Sequence, residues 1–116
     1  MSAEGFDPAE LSPALWEQVA AAITVLGLEG TILFYNAYAP KILDRKPAYI
    51  GRDVCELHKP ASAAKIRAML DAYRQGQAKE FAWQAGRDGQ QYAVRLSPLT
   101  RGGQICGAVH VAMLLP

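Results

Sequence analysis

The chain has only two cysteines, Cys55 and Cys106. They show no CxxC spacing and no His or Cys partner at zinc-finger distance. That excludes a disulfide framework and a structural zinc site, and two free, fairly buried thiols are expected. Excess charge of either sign is missing as well. With 12 Lys and Arg against 11 Asp and Glu, no global field gathers nucleic acid or an anionic membrane, and neither is expected as a partner. The longest uncharged apolar stretch, Val19 to Leu28, falls short of the roughly 20 residues that a bilayer span requires. Met1-Ser2-Ala3-Glu4-Gly5 lacks the basic region and apolar core of an export signal, so a cytoplasmic location is expected. There is no G-x-S-x-G nucleophile motif and no phosphate loop. Among the ionisable residues His58, Glu56, Asp53, His110 and Glu80, no pair is spaced for acid–base work, so the chain does not read as an enzyme.

What is present suffices for one domain: 116 residues, about half of them hydrophobic. The pattern divides it into a leading helix over 1–21 and a sheet-forming domain over 22–116. Ser12 is a candidate N-cap, Pro13 fits the first helical position, and Leu11, Leu15 or Trp16, and Val19 give the segment an apolar side. Trp16 must be buried, either within the domain or between two copies of it.

Ile23 to Leu28 and Thr31 to Asn36 are β-rich runs joined by Glu29-Gly30, which predicts a hairpin. Ala37 to Leu43 then reads as a short helix starting near Pro40, and Asp53 can cap a further turn carrying Val54, Cys55 and Leu57. The main helix begins around Pro60, with Ser62 as an alternative cap, and ends at Gly76. Ile66, Met69, Leu70 and Tyr73 form its apolar stripe at i, i+3, i+4 and i+7. Three strands follow. Lys79 to Gln84 alternates about Phe81 and Trp83, and Gly86-Arg87-Asp88-Gly89 turns. Gln91 to Ser97 points Tyr92, Val94 and Leu96 inward, Gly102-Gly103 turns, and Ile105 to Leu114 closes the chain.

This order resembles the PAS sensor-domain family. The residues that carry the resemblance are the Glu29-Gly30 hairpin, Ile32-Leu33-Phe34-Tyr35-Asn36-Ala37, the Ile50-Gly51-Arg52-Asp53-Val54 loop, the helix ending at Gly76, the Asp88-Gly89 hairpin and Gly107-Ala108-Val109-His110-Val111. It runs from about Ala22 to the end. Within the family the chain is similar to a subgroup with a His-Pro-Pro-x-Ser-like motif before the main helix, written here His58-Lys59-Pro60-Ala61-Ser62. The resemblance implies an α+β fold: a five-stranded antiparallel sheet in the order 2-1-5-4-3, with helices on one face enclosing a small cavity. It also implies a sensory or signalling role, usually as a dimer, with a small apolar ligand or a signalling protein as partner.

His58 carries the sharpest expectation. Imidazole is the usual axial ligand of haem iron, and some relatives of this subgroup ligate haem through a histidine here. Met69, Met113, Cys55 and Cys106 are the candidates for a further ligand. The competing reading has His58 shaping the entrance of the helix. A flavin adduct is disfavoured, because Val54-Cys55-Glu56-Leu57-His58-Lys59 departs from the Asn-Cys-Arg-Phe-Leu-Gln-like motif nearly everywhere. The residues expected to line a cavity, besides His58, are Phe34, Ile42, Leu57, Ile66, Leu70, Trp83 and Val94. His110 faces away from Val109 and Val111, and on the outer sheet face it would be an interface residue.

Overall fold

A computed structural model describes residues 14–116. The Ser12 cap and the Pro13 start expected for a leading helix lie outside that range. Helical backbone continues only through the 3-10 turn Trp16–Gln18, and the chain is extended by Val19. A helix reaching Ala22 is therefore not formed. Alanine favours helix locally, but Ala22 is already a sheet residue opposite Ala112, and Ala21 and Ala22 are both buried.

The five strands are β1 (Ala22–Gly27), β2 (Ile32–Tyr35), β3 (Phe81–Arg87), β4 (Gln90–Arg101) and β5 (Gln104–Leu114). They form one antiparallel sheet in the order β2-β1-β5-β4-β3, the order expected. The closing hairpins follow from turn chemistry. Asp88 and Gly89 both adopt positive φ, 52° and 77°, the combination a tight two-residue turn needs and one that Asp and Gly tolerate. Gly86 and Arg87 belong to β3, so that turn is shorter than the four residues expected. Gly107 serves a different purpose: a Cβ there would stand 2.5 Å from the Leu26 carbonyl oxygen, so only glycine lets β1 and β5 approach here.

Register sorts the side chains into two faces. One cross-strand row runs Tyr35, Thr24, His110, Leu96, Phe81, and the next runs Ala22, Ala112, Val94, Trp83. These face the helices, so His110 belongs to the inner face and not to the outer one. In β2 the strict alternation fails. A bulge pairs Leu26 with Ile32 but Val25 with Phe34, which leaves Leu33 as the extra residue. Ile32 is buried while Phe34, 39% exposed, is turned to the outer face.

The inner face is covered by α1 (Ala39–Ile42), the 3-10 turns Pro47–Tyr49 and Val54–Leu57, and α2 (Pro60–Arg74). Pro60 occupies the first position of α2, where its missing N–H costs nothing. Ser62 lies within the helix and does not cap it. At the other end Gln77 N–H donates to the Ala72 carbonyl and Gly76 N–H to that of Tyr73, which closes the helix with a Schellman motif about Gly76. The stripe Ile66, Met69, Leu70, Tyr73 faces the sheet, and Leu70 and Tyr73 are each 1% exposed. Burying a side chain of Leu70's size stabilises by roughly 2 kcal/mol, so this stripe holds α2 in place.

The core divides. Leu26, Ile32, Val54, Cys55, Leu70, Tyr73, Leu96 and Ala108 form one cluster, and Ala22, Ala39, Tyr92, Val94 and Ala112 form a second. Tyr35 and Trp83 pack against both. No helix of the described residues is long and apolar enough to cross a membrane.

Candidate functional site

Between the two clusters the inner face carries polar groups. Thr24 and His110 are direct cross-strand neighbours of β1 and β5. Thr24 is fully buried, and its hydroxyl accepts from Nε of Arg45 at 3.1 Å. Arg45 arrives from the loop after α1 and is 7% exposed. Its Nη1 donates to the Asp44 carbonyl oxygen at 3.0 Å. Among the described residues no carboxylate oxygen lies within ion-pair distance of its guanidinium. The nearest acidic neighbour, Asp44, instead accepts from the Tyr49 hydroxyl at 3.3 Å. Burial lowers the Arg45 pKa from its usual value, against the raising effect of Asp44.

His110 completes the seam. The residue as a whole is half-buried, and its Nδ1 is shut off from solvent and, among the described residues, has no hydrogen-bond partner. Burial first, then the charges of Arg45 and His58, press the imidazole pKa down to about 3. The ring is therefore neutral at ordinary pH. Trp83 meets it edge-on, with the ring centroids 6.3 Å apart. A neutral imidazole that Trp83 meets edge-on and a guanidinium without a carboxylate partner thus both border Thr24 on the inner face.

A second polar group ties the seam's surroundings to the start of the described chain. Asn36, fully buried, accepts at Oδ1 from the N–H groups of Ile23 and Ala39, and donates from Nδ2 to the carbonyls of Trp16 and Ala21. All four hydrogen-bonding positions of the amide are used. The Trp16 ring stacks on Phe34 at 4.3 Å with 13° between planes. Trp16 thereby packs on an outer-face aromatic of its own chain and is half-buried there.

The residues expected to line a cavity fall in different places. Ile42, Leu57, Ile66, Leu70, Trp83 and Val94 all belong to the inner-face clusters or pack on them. Phe34 does not, because the β2 bulge sends it to the opposite face. His58 is exposed at the end of the Val54–Leu57 turn, with Nδ1 2.9 Å from the Val54 carbonyl oxygen. That bond pins the ring to its own turn, which Asp53 caps by accepting from Cys55 N–H at 2.9 Å.

A resident haem does not fit this packing. Nε2 of His58 points from an exposed ring, and Met113 and Cys106 are exposed. Cys55 is buried, as expected, and burial raises its thiol pKa, so it is held as the thiol. The exposure of Cys106 corrects the expectation of two buried thiols. A concavity of about 520 Å³ lies along β3, β4 and β5, lined by Trp83 and Val94, two of the residues expected to line a cavity, together with Ala82, Gln84, Ala93, Arg95, Val111 and Met113; His58 is not part of it. No cluster of three or more His, Cys, Asp or Glu able to hold a metal occurs among the described residues.

Arg45, Thr24 and Asn36 were not legible as functional. Asp44-Arg45-Lys46 reads as an ordinary solvated charge run, and Thr24 as one strand residue among several. Asn36 did carry a signal, an Asx residue three before Ala39, since Asn favours capping a following helical turn.

The sequence matches the family described as PAS domain over residues 14–113. Solved structures with a similar fold include the PAS domain of a Colwellia psychrerythraea protein, at 20% identity and TM-score 0.73, covering 94% of this chain and 98% of that one. A sensory box sensor histidine kinase from Vibrio cholerae aligns at 16% identity and TM-score 0.66, covering 93% and 92%. VqmA bound to DPO aligns at 19% and 0.68, covering 90% of this chain and 56% of that one. No curated protein matches the chain significantly.

Proposed function

Because this chain belongs to the PAS domain family, we propose that it is a sensory module in which a small molecule or a partner alters the packing of the helices on the sheet. The carrying observation is the position of Asn36. One amide joins β1, the first turn of α1 and the backbone at Trp16 and Ala21. A ligand at the seam that moves α1 or the Arg45 loop disturbs this amide, and with it the Trp16 stack on the outer face. The change transmitted is no larger than the ligand's differential affinity for the two packings.

The receiving surface in this reading is the outer face. Phe34 on β2 and Met113 on β5 are exposed, and Met113 also lines the concavity, an apolar surface suited to a second copy of the chain or a signalling partner. VqmA, solved with DPO and described as a dimer, shows one protein of this fold working with a ligand and a partner copy. In this reading the seam binds a ligand and does not catalyse. A cytoplasmic setting agrees with this role.

The test uses Trp83→Phe, which leaves Trp16 as the sole tryptophan. Fragments that raise the melting temperature of this protein are expected to shift Trp16 emission as well, and to change the sedimentation behaviour at high protein concentration. Binders that leave Trp16 and the mass unchanged would refute transmission to the outer face.

A further inference from the structure

The two edges of the sheet differ. Along β2 the edge is covered by the loop before the Val54–Leu57 turn: Ile32 N–H donates to the Arg52 carbonyl at 2.8 Å, the Ile32 carbonyl accepts from Gly51 N–H at 2.7 Å, and Thr31 bridges to Asp53. β3 has β4 on one side and, among the described residues, no backbone hydrogen bond on the other. Which of its groups are left over follows from the hairpin. Asp88-Gly89 is a two-residue turn, so Arg87 and Gln90 form a hydrogen-bonded pair, and such pairs alternate along the ladder. The Gln91 carbonyl agrees with this phase, since it turns away from β3 to accept from Leu115 N–H at 2.8 Å. Phe81, Trp83, Ala85 and Arg87 therefore direct their backbone groups to β4. Ala82, Gln84 and Gly86, all exposed, aim theirs outward. Bare edges are normally blunted by Lys, Pro, a bulge or shortness. β3 has seven residues, none of them Lys or Pro, its one charge is Arg87 at the last position, and its register runs without a shift.

We propose that β3 pairs antiparallel with β3 of a second copy of this chain, with Gln84 opposite the partner's Gln84. The occupant follows from the symmetry of the strand. A two-fold axis in an antiparallel pair sets one residue opposite itself. Centring it on Gln84 brings all three outward residues into hydrogen-bonded pairs: Gln84 with the partner's Gln84, Ala82 with the partner's Gly86, and Gly86 with the partner's Ala82. Each pair exchanges two bonds, about six in all. On the other face the same register sets Trp83 against the partner's Ala85, large against small, and Arg87 against the partner's Phe81, so the guanidinium meets an aromatic ring and not a like charge. Glu80 and the partner's Asp88 lie past the paired strands, and Glu80 is turned to the Ser97 hydroxyl at 3.3 Å. The axis stands perpendicular to the sheet, so the two sheets continue into one. The concavities, lined on their β3 side by Ala82 and Gln84, then lie next to each other. An unrelated extended peptide satisfies the backbone groups but lacks the matched side-chain pairs. One strand's edge buries well under the roughly 1,600 Å² of a standard interface, so the dimer is a weak one. This edge pairing is separate from the ligand response proposed above and stands whether or not that response holds.

Amide hydrogen exchange of the intact chain, followed residue by residue from about 50 µM to about 1 mM, reads the edge directly over the range of a weak contact. The N–H groups of Ala82, Gln84 and Gly86 are expected to exchange freely in dilute protein and to slow about threefold or more at the highest concentration. Those of Trp83 and Ala85, bonded to β4, are expected to keep one rate. Sedimentation equilibrium follows the mass over the same range. Gln84→Lys and Gln84→Glu each set like charges across the axis and are expected to weaken the dimer about threefold or more, whereas their equimolar mixture restores it. Gln84→Pro removes an N–H that points away from β4, so the hairpin is kept and the pairing is expected to be lost. Slow exchange of the three outward amides already in dilute protein would show the edge covered within one chain and overturn the proposal. A monomer at every concentration, a dimer that leaves those amides unprotected, or a charge mixture that fails to pair would overturn it as well. The wild-type exchange pattern decides the matter even if Gln84→Pro does not fold. None of these outcomes bears on ligand sensing, which the Trp16 emission test reads.

Discussion

Replacing His110 with glutamine removes one proton site from the middle of the inner face and keeps a neutral polar side chain there. The folded imidazole holds its pKa at about 3, by burial and then by the charges of Arg45 and His58, against an ordinary 6.5. Across the window between these values the unfolded chain binds a proton that the folded chain refuses. The unfolded state then holds more protons, so stability rises with pH and falls as the solution is acidified. Nothing is lost above about pH 7. Below 6.5 the loss runs at about 1.4 kcal/mol per pH unit until the folded ring itself protonates near 3. At pH 5 this amounts to roughly 1 to 2 kcal/mol. Urea unfolding of wild type and His110→Gln at pH 7 and pH 5 isolates the effect, because the carboxylates of the rest of the chain titrate alike in both. The wild-type midpoint is expected to drop further than the variant's by about 0.5 to 1 M urea. Equal losses in the two proteins would refute the account of a ring kept neutral by its surroundings.

Asn36→Ala strands the Ile23 N–H and the carbonyls of Trp16 and Ala21 at once, while Ala39 N–H keeps its bond to the backbone carbonyl of residue 36, and a loss of roughly 2 to 3 kcal/mol in urea unfolding is expected; a loss under 1 kcal/mol would show that water replaces the amide. Gly107→Ala drives a methyl to within 2.5 Å of the Leu26 carbonyl, so β1 and β5 must separate, and the expected cost is about 1 to 3 kcal/mol by the same measurement. Haem added to the purified protein is expected to keep its free absorption spectrum, whereas a sharp Soret band that disappears in His58→Ala would overturn the misfit described for that site.

The elements of the fold were legible because each has a local cause. Period-two alternation marked β3 and β4, Asp88-Gly89 and Gly102-Gly103 marked their turns, Pro60 and Gly76 bracketed α2, and its stripe Ile66, Met69, Leu70, Tyr73 named the buried side. The order of these elements carried the family resemblance, and with it the strand order. What failed did so where a local rule met a distant partner. Alanines 20–22 favour helix, but β1 pairs with β5 and draws Ala22 into the sheet. Phe34 obeys alternation until the bulge at Leu33 reverses its face. His110 alternates correctly with Val109 and Val111, yet alternation says only that it opposes them and not which side the helices cover. His58, singled out for its chemistry, is turned back to Val54 by a single hydrogen bond. The sequence by itself determined a PAS-type sheet with one amphipathic helix across it, since propensity, period and turn chemistry act between near neighbours. Only the tertiary structure decided the seam, because Thr24, Arg45 and His110 are distant along the chain, and their burial and hydrogen bonding exist only once β1, β5 and the loop after α1 have closed on one another.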